Sequence, residues 1–375
     1  MIKPGPAFTR PRTPAAKCLH LVRLNPIITR SELVEATGLS QPTITRATAA
    51  LLKAGLIQER NDLTQSHGRG RPTVPLEIAN NNWMLAGIAV GTSSTRIAFY
   101  DPQGHAIRED DIDTPVAELS ADNFIETIMA GVNRLRVGLD RQLVSVGVST
   151  SGSVDSRGLV YASNLGWYGV DIAERRRCQF GVPVVVASAI PAILGAETQA
   201  GELNNSDHVL VLFADDSIGA AVATDTAVTQ ITPLPAVNSP SFNGDQDSEG
   251  LLNTSGTLAA LAAQGIKADS LGSAVSAATP GSPAREILDE RARLLGELTA
   301  ELVKEHDIRR VVVAGSAFSE DPAAPKIFAA RVRELASPTA GLELRMIPTH
   351  QEIVRAVARA VALDPLLRIP LSLEQ

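Results

Sequence analysis

Two helix-start signals separated by a glycine turn, near the beginning of the chain, constrain this sequence most tightly. Thr29 is followed three residues later by Glu32, an arrangement in which each side chain satisfies the other residue's free backbone N–H at a helix start. Leu33, Val34 and Ala36 supply the apolar members of that helix, and Thr37-Gly38-Leu39 ends it with a residue suited to a left-handed backbone. Ser40 stands where the next helix needs a cap, and Pro42 is tolerated in its first turn, where N–H groups lack intrahelical partners. Ile44, Ala47, Leu51 and Leu52 then recur at helical spacing and are expected to face inward. Upstream, Cys18, Leu21, Val22 and Leu24 predict a preceding helix that stops at Asn25-Pro26, and Ala54-Gly55-Leu56-Ile57 leads into a strand.

The inward face of the second helix leaves Gln41, Pro42, Thr43, Thr45 and Arg46 on the outside of its first half. A recognition helix presents such side chains to the major groove, where Gln and Arg make paired contacts to adenine and guanine. Gly68-Arg69-Gly70-Arg71-Pro72 follows at the position of a wing, and Arg69 and Arg71 suit a narrow minor groove. Charge agrees with the pattern. Residues 1–75 hold eleven Lys/Arg and four Asp/Glu, although the whole chain has a net charge of −7. A basic head on an acidic body implies that the head alone meets a polyanion. The bland alternative, an ordinary helix pair with a solvated Gly/Arg linker, does not account for this order of signals. A winged helix-turn-helix over residues 15–78, after a flexible arm at 1–14, is therefore expected, with double-stranded DNA as its partner.

From Met84 the texture changes. Met84–Val90 and Thr95–Tyr100 read as strands joined by turns, residues 121–136 as a helix, and Leu143–Ser149 as another strand. Pro183–Ala187, Val209–Phe213 and Arg310–Ala314 are apolar runs, 284–305 is a long amphipathic helix, and the strand 342–347 precedes a helix at 350–363. Strands apolar throughout and alternating with helices indicate an α/β body with a parallel or mixed sheet. Cys18 and Cys178 match no metal or redox spacing and read as buried thiols. No apolar run is long enough to span a membrane and no apolar signal core follows the first residues, so a cytoplasmic location without membrane contact is expected.

At this point the sequence resembles the ROK family (repressors, open reading frames and kinases), in its xylose-repressor-like branch. The resemblance is carried by Leu39-Ser40-Gln41-Pro42-Thr43-Ile44-Thr45-Arg46 and by the 68–72 wing. In the body it is carried by Val154-Asp155-Ser156-Arg157-Gly158-Leu159-Val160, Ser163-Asn164-Leu165-Gly166-Trp167 and Phe180-Gly181-Val182-Pro183-Val184-Val185-Val186. It covers residues 15–225 well and the rest by element order. It implies an actin-like ATPase (ribonuclease H-like) two-lobed domain over 82–375, with lobe 1 at about 82–185 plus the C-terminal helix and lobe 2 at about 186–350. It also implies a homodimer or tetramer that represses genes and releases DNA when a sugar or sugar phosphate binds.

Measured against the family's kinases, the body lacks its chemistry. Ala89 stands at the acidic position of the first phosphate loop, and Phe213-Ala214-Asp215-Asp216-Ser217-Ile218-Gly219-Ala220-Ala221 replaces the glycine-rich second loop, where the carboxylates of Asp215 and Asp216 repel a triphosphate. Ala189 stands where the resemblance places the catalytic Asp, and a methyl group takes no proton. No cysteine follows Cys178, so the zinc cluster of many members is missing, and 232–256 reads as a Pro/Ser/Asn-rich loop. No catalytic residue, cofactor or metal is therefore assigned. The remaining polar candidates for an effector are Asn164, Ser188 and Glu197, although Asn164 also suits a turn cap and Glu197 a solvated helix face. Three functions compete: a sugar-responsive repressor, a ligand-blind regulator whose body only dimerises, and a sugar kinase with a DNA-binding head.

Overall fold

The computed structural model describes residues 7–64, 73–155, 157–172, 181–201, 208–224, 227–242, 247–336 and 341–373. The 68–72 wing, Arg69 and Arg71 included, and Cys178 lie outside these residues. Two compact units emerge, one of residues up to Asn205 and from Arg355 onward, the other of Ser206–Val354.

The first unit opens with helix α1 (Pro14–Leu24), whose cap residue Thr13 accepts from the Ala16 N–H at 3.1 Å. Helix α2 (Arg30–Thr37) has the reciprocal cap read from the sequence: Glu32 accepts from the Thr29 N–H at 2.7 Å, and Thr29 from the Glu32 N–H at 3.3 Å. Gly38 closes it at φ 66°. Helix α3 (Gln41–Lys53) starts after Ser40, but the Ser40 hydroxyl meets the Thr43 hydroxyl at 2.9 Å instead of capping a backbone amide. Strands β1 (Ile57–Glu59) and β2 (Leu76–Ile78) pair antiparallel at the base of the wing.

The body of this unit is built on strands β3 (Trp83–Val90), β4 (Ser94–Tyr100), β5 (Ala106–Asp113), β6 (Gln142–Thr150) and β10 (Val184–Ser188). Their order is β10-β6-β3-β4-β5, with β10, β6 and β3 parallel and β3-β4-β5 an antiparallel meander. A small sheet of β7 (Ser153–Val154), β8 (Leu159–Ala162) and β9 (Trp167–Asp171) lies between β6 and β10 in sequence. Alternation sorts the faces of the main sheet. Met84, Ala86, Ile88, Val146 and Val148 join Phe124, Ile128 and Val132 of helix α4 (Ala121–Arg136) in one core. The opposite face carries Gly87 and Gly147, which are register partners. Helix α12 (His350–Arg368) lies against them so closely that an added Cβ would stand 2.0 Å from the Ala358 carbonyl oxygen at Gly87, and 2.0 Å from that of Val361 at Gly147.

Helix α12 carries Leu363, Leu366 and Leu367 into the same hydrophobic cluster as Cys18, Leu19, Leu33, Ile44 and Leu51 of the helix-turn-helix. Leu85, Ala98, Tyr100 and Val144 of the sheet complete the cluster, together with Leu373 beyond the helix. The head thus shares its core with the body. Within the described part of the expected arm, Phe8 is 3% exposed, and its N–H donates to Asp364 at 2.7 Å, while residues 1–6 lie outside the described residues. Helix α5 (Ala189–Ala200) also groups with this unit, so the division falls after residue 205 rather than near the 185 expected from sequence.

The second unit repeats the sheet topology. Strands β11 (Val209–Ala214), β12 (Ile218–Ala223), β13 (Val228–Ile231), β14 (Arg310–Ala314) and β15 (Glu343–Met346) lie in the order β13-β12-β11-β14-β15. Again a central strand begins an antiparallel meander on one side and has parallel strands on the other. Helices α6 (Ser248–Leu252), α7 (Thr254–Ala263), α8 (Leu271–Ala277), α9 (Pro283–Glu305), α10 (Ser316–Ser319) and α11 (Ala324–Leu335) complete it. Its core is led by Leu294, Leu298 and Leu302 of α9, with Phe318 and Phe328 edge to face at 5.1 Å. Two copies of this five-stranded sheet are the hallmark of the actin-like ATPase architecture expected from the sequence.

Candidate nucleic-acid interface and effector site

Burial divides α3 as the spacing predicted. Ile44, Ala47, Thr48 and Leu51 are buried, whereas Gln41, Pro42, Thr45 and Arg46 are exposed and Thr43 is half-buried. Thr45 bonds back to the Gln41 carbonyl at 2.9 Å, and the Arg46 Nε donates to the Pro42 carbonyl at 3.3 Å. These local bonds hold the two side chains against the helix, and both residues stay exposed. Other head cations are committed elsewhere: Arg30 pairs with Glu59 at 2.7 Å, and Arg60 with Glu77 at 2.8 Å and Asp62 at 2.6 Å. A groove of about 500 Å³ runs beside the recognition helix, between Thr43 and Arg46 on one side and Pro370 and Leu371 on the other.

The body candidates divide. Ser188 ends β10 and its hydroxyl donates to the Gly152 carbonyl at 2.6 Å, while Ser151 donates to Asn164 Oδ1 at 3.0 Å. Asn164 and Ser188 therefore converge on the Ser151-Gly152 turn that follows β6. Glu197 does not join them, because it lies on the penultimate turn of α5, well along the helix from Ser188. Beneath the Asn164 turn, Trp167 is 2% exposed and packs edge to face on Phe124 at 5.0 Å. Ala89 pairs in register with Ser149, and Ala189 is the first residue of α5. Among the described residues no three His, Cys, Asp or Glu side chains gather as a metal site.

In the second unit, the β11–β12 turn shows what replaces the phosphate loop. The Asp215 carboxylate accepts from the Ser316 hydroxyl at 2.8 Å and from the Ser316 N–H at 3.3 Å. It thereby fills donors at the start of α10 that an anion would otherwise meet. Arg291 is buried nearby, and burial pushes its guanidinium down to about 10 against the opposing pull of Asp215 and Asp321.

Sequence reasoning passed over His20, which is buried on α1, and Arg23, which is half-buried there. The available signal was that α1 is apolar nearly all round, which marks a helix covered on more than one side. Cys18 is buried in the same helix, and desolvation pushes its thiol up to about 11. None of the described helices is long and apolar enough to cross a membrane.

Comparison with known proteins agrees with this geometry. Residues 85–230 match the sequence model of the ROK family, and residues 19–58 match that of a winged helix-turn-helix DNA-binding domain. A transcriptional regulator of Mycobacterium tuberculosis (strain ATCC 25618 / H37Rv) is 32% identical over 335 residues, covering 83% of this chain and 76% of the relative. The xylose repressor of Bacillus subtilis (strain 168) is 24% identical over 201 residues, 53% of this chain and 52% of the repressor. Among solved structures, a ROK family transcriptional regulator described as a homolog of the E. coli MLC protein superposes with a TM-score of 0.76 at 19% identity, over 96% of this chain and 98% of the other. A ROK family glucokinase from Streptomyces griseus, in complex with glucose and AMPPNP, superposes with a TM-score of 0.58 at 19% identity, over 74% of this chain and 99% of the other.

Proposed function

Because the chain belongs to the ROK family and bears a winged helix-turn-helix head, we propose that it is a DNA-binding transcriptional repressor whose kinase-like body responds to a sugar or sugar phosphate without transferring phosphate. The observation that carries this reading is the exposed polar face of α3, with Gln41, Thr45 and Arg46 exposed opposite the buried Ile44, Ala47 and Leu51. In this reading, Gln41 and Arg46 read base edges and Pro42, Thr43 and Thr45 meet backbone or thymine methyl groups. Arg69 and Arg71 of the wing enter the adjacent minor groove. A homodimer or tetramer in the cytoplasm reads a two-fold operator.

The non-catalytic part of the proposal is supported by Ala89 and Ala189 at the positions of the acid and base, and by the Asp215 carboxylate held on Ser316. Asn164 and Ser188, joined through Ser151-Gly152, form the effector end.

The test is a duplex selected from a random pool by the full chain, followed by fluorescence anisotropy. Binding is expected to weaken steeply with salt, and Arg46→Ala to lose roughly 10- to 100-fold in discrimination at one base pair, the usual worth of a bidentate contact. Unchanged affinity and specificity in that variant would overturn the assignment of α3. Coupled ADP release across hexoses is expected to stay at background, and turnover above it would overturn the non-catalytic reading. Thermal shifts with sugars and sugar phosphates test the sensor, because a ligand of the native state raises stability.

A further inference from the structure

His20 and Arg23 reach from α1 to the end of α5 in the body, a contact that the DNA-binding reading does not call for. The His20 ring is 2% exposed, with Nε2 lying 2.9 Å from the Gly201 carbonyl oxygen. The Arg23 guanidinium donates to the Gln199 carbonyl. Both carbonyls belong to the C-terminal end of α5, the end that gathers negative potential and carbonyls without intrahelical partners. The same end is held by the Gln199 amide, which donates to the Ala360 carbonyl of α12 at 3.0 Å. One turn back, Phe8 lies on Gly195 so tightly that an added Cβ would stand 2.4 Å from its ring. The other end of α5 begins at Ser188, bonded to the Gly152 turn. One helix of twelve residues, about 18 Å at 1.5 Å per residue, therefore runs from the effector end to the first helix of the DNA-binding head.

The chemistry of the junction is unusual for a part that only holds. Apolar packing would join α1 and α5 more firmly, because a half-buried guanidinium and a buried imidazole each lose hydration. Moreover, His20 Nδ1 and Arg23 Nε are buried without a hydrogen-bond partner. The contact is specific in direction yet carries unsatisfied groups, a combination suited to an interface with two arrangements of similar free energy. Helix α1 in turn packs directly against α3.

We propose that α5 is the transmission element of this regulator, with His20 and Arg23 as positioning residues that pass a displacement at Ser188 to α1 and so to the recognition helix. This rests on the reading of Asn164 and Ser188 as the effector end. A polyhydroxylated ligand that takes over the Gly152 carbonyl or the Ser188 hydroxyl would shift the start of α5, and the grip of α1 on its far end would change.

A double-mutant cycle on the full chain tests this without any effector, reading the Kd for the selected duplex by anisotropy. Ser188→Val removes the bond to Gly152, and the pair His20→Leu with Arg23→Met removes the grip on α5. Sites this far apart normally act additively, to within about twofold in an equilibrium constant. The expected result is that Ser188→Val changes Kd at least fivefold in the native background and less than twofold in the His20→Leu, Arg23→Met background. Arg23→Lys, which keeps a donor, is expected to restore the coupling. Equal effects in both backgrounds, or no effect of Ser188→Val in the native one, would overturn the proposal. Should the double variant fail to fold, amide exchange of Ser188→Val alone decides: altered protection across α3 supports transmission, and unaltered protection refutes it. Wild-type chain that selects no duplex would instead sink the DNA-binding reading, and absent thermal shifts the effector reading, so the three failures are distinct.

Discussion

His20 illustrates how a single side chain ties the head to solution conditions. Burial pushes its imidazole from 6.5 down to about 4, the Gly201 bond works against that shift, and the Arg23 charge adds to it. Arg10 and Asp364 also face the small cavity beside the ring. The folded protein therefore keeps His20 neutral where the unfolded chain protonates it. Its stabilising contribution is complete above pH 6.5 and is lost as pH falls through the interval down to about 4. The span corresponds to about 3 kcal/mol at most. His20→Gln keeps an amide donor for the Gly201 carbonyl and removes the titration. Urea unfolding at pH 7.5 and 4.5 should show a smaller loss on acidification in this variant than in wild type. Equal losses would exclude His20 as the titrating group.

At the scale of elements, α12 approaches the first unit's sheet so closely that only glycine fits at Gly87 and Gly147. Gly147→Ala places a methyl group against the Val361 carbonyl, at a distance where neither backbone yields easily. Overpacking of this kind costs about 1–3 kcal/mol, and here the helix that must lift also carries Leu363, Leu366 and Leu367 of the head's core. The denaturation midpoint should fall, and DNA binding with it. A variant of wild-type stability would show that α12 has room to move. Elements with strong local signals were legible in the sequence: the capped α2, the Gly38 turn, the inward stripe of α3, and the apolar strands β3, β6, β11 and β14. Strand β5 was not, because it is an edge strand rich in acids whose place depends on the buried Arg96 pairing with Glu109 and Asp111. The junction residues were equally hidden. Whether Phe8, His20 or Asp364 is buried depends on partners that lie hundreds of positions away in sequence for Phe8 and Asp364, a dependence no local period encodes. Asn164 and Ser188 were legible as isolated polar residues, but the Ser151-Gly152 turn that joins them was not.

For the whole molecule, the repeated five-stranded topology sets two similar sheets in one chain without any repeat visible in the sequence, since the topology asks only for apolar strands in a given order. The shared core has a stronger consequence for the head. Residues 1–80 expressed alone would expose the inner faces of α1 and α3 that Leu85, Tyr100, Leu363 and Leu366 cover in the full chain. Heating this fragment should give a broad, non-cooperative loss of helical circular dichroism. A sharp transition like that of the full chain would show that the head is self-sufficient.

The placement of Leu373 in that core bears on how the protein is made. A ribosome releases α1, α2 and α3 first and Leu363–Leu373 only after nearly the whole body has followed. Until then the nascent head lacks the apolar wall that Leu363, Leu366, Leu367 and Leu373 supply. The helices made first in this unit thus have their core closed last, by residues of α12 and Leu373.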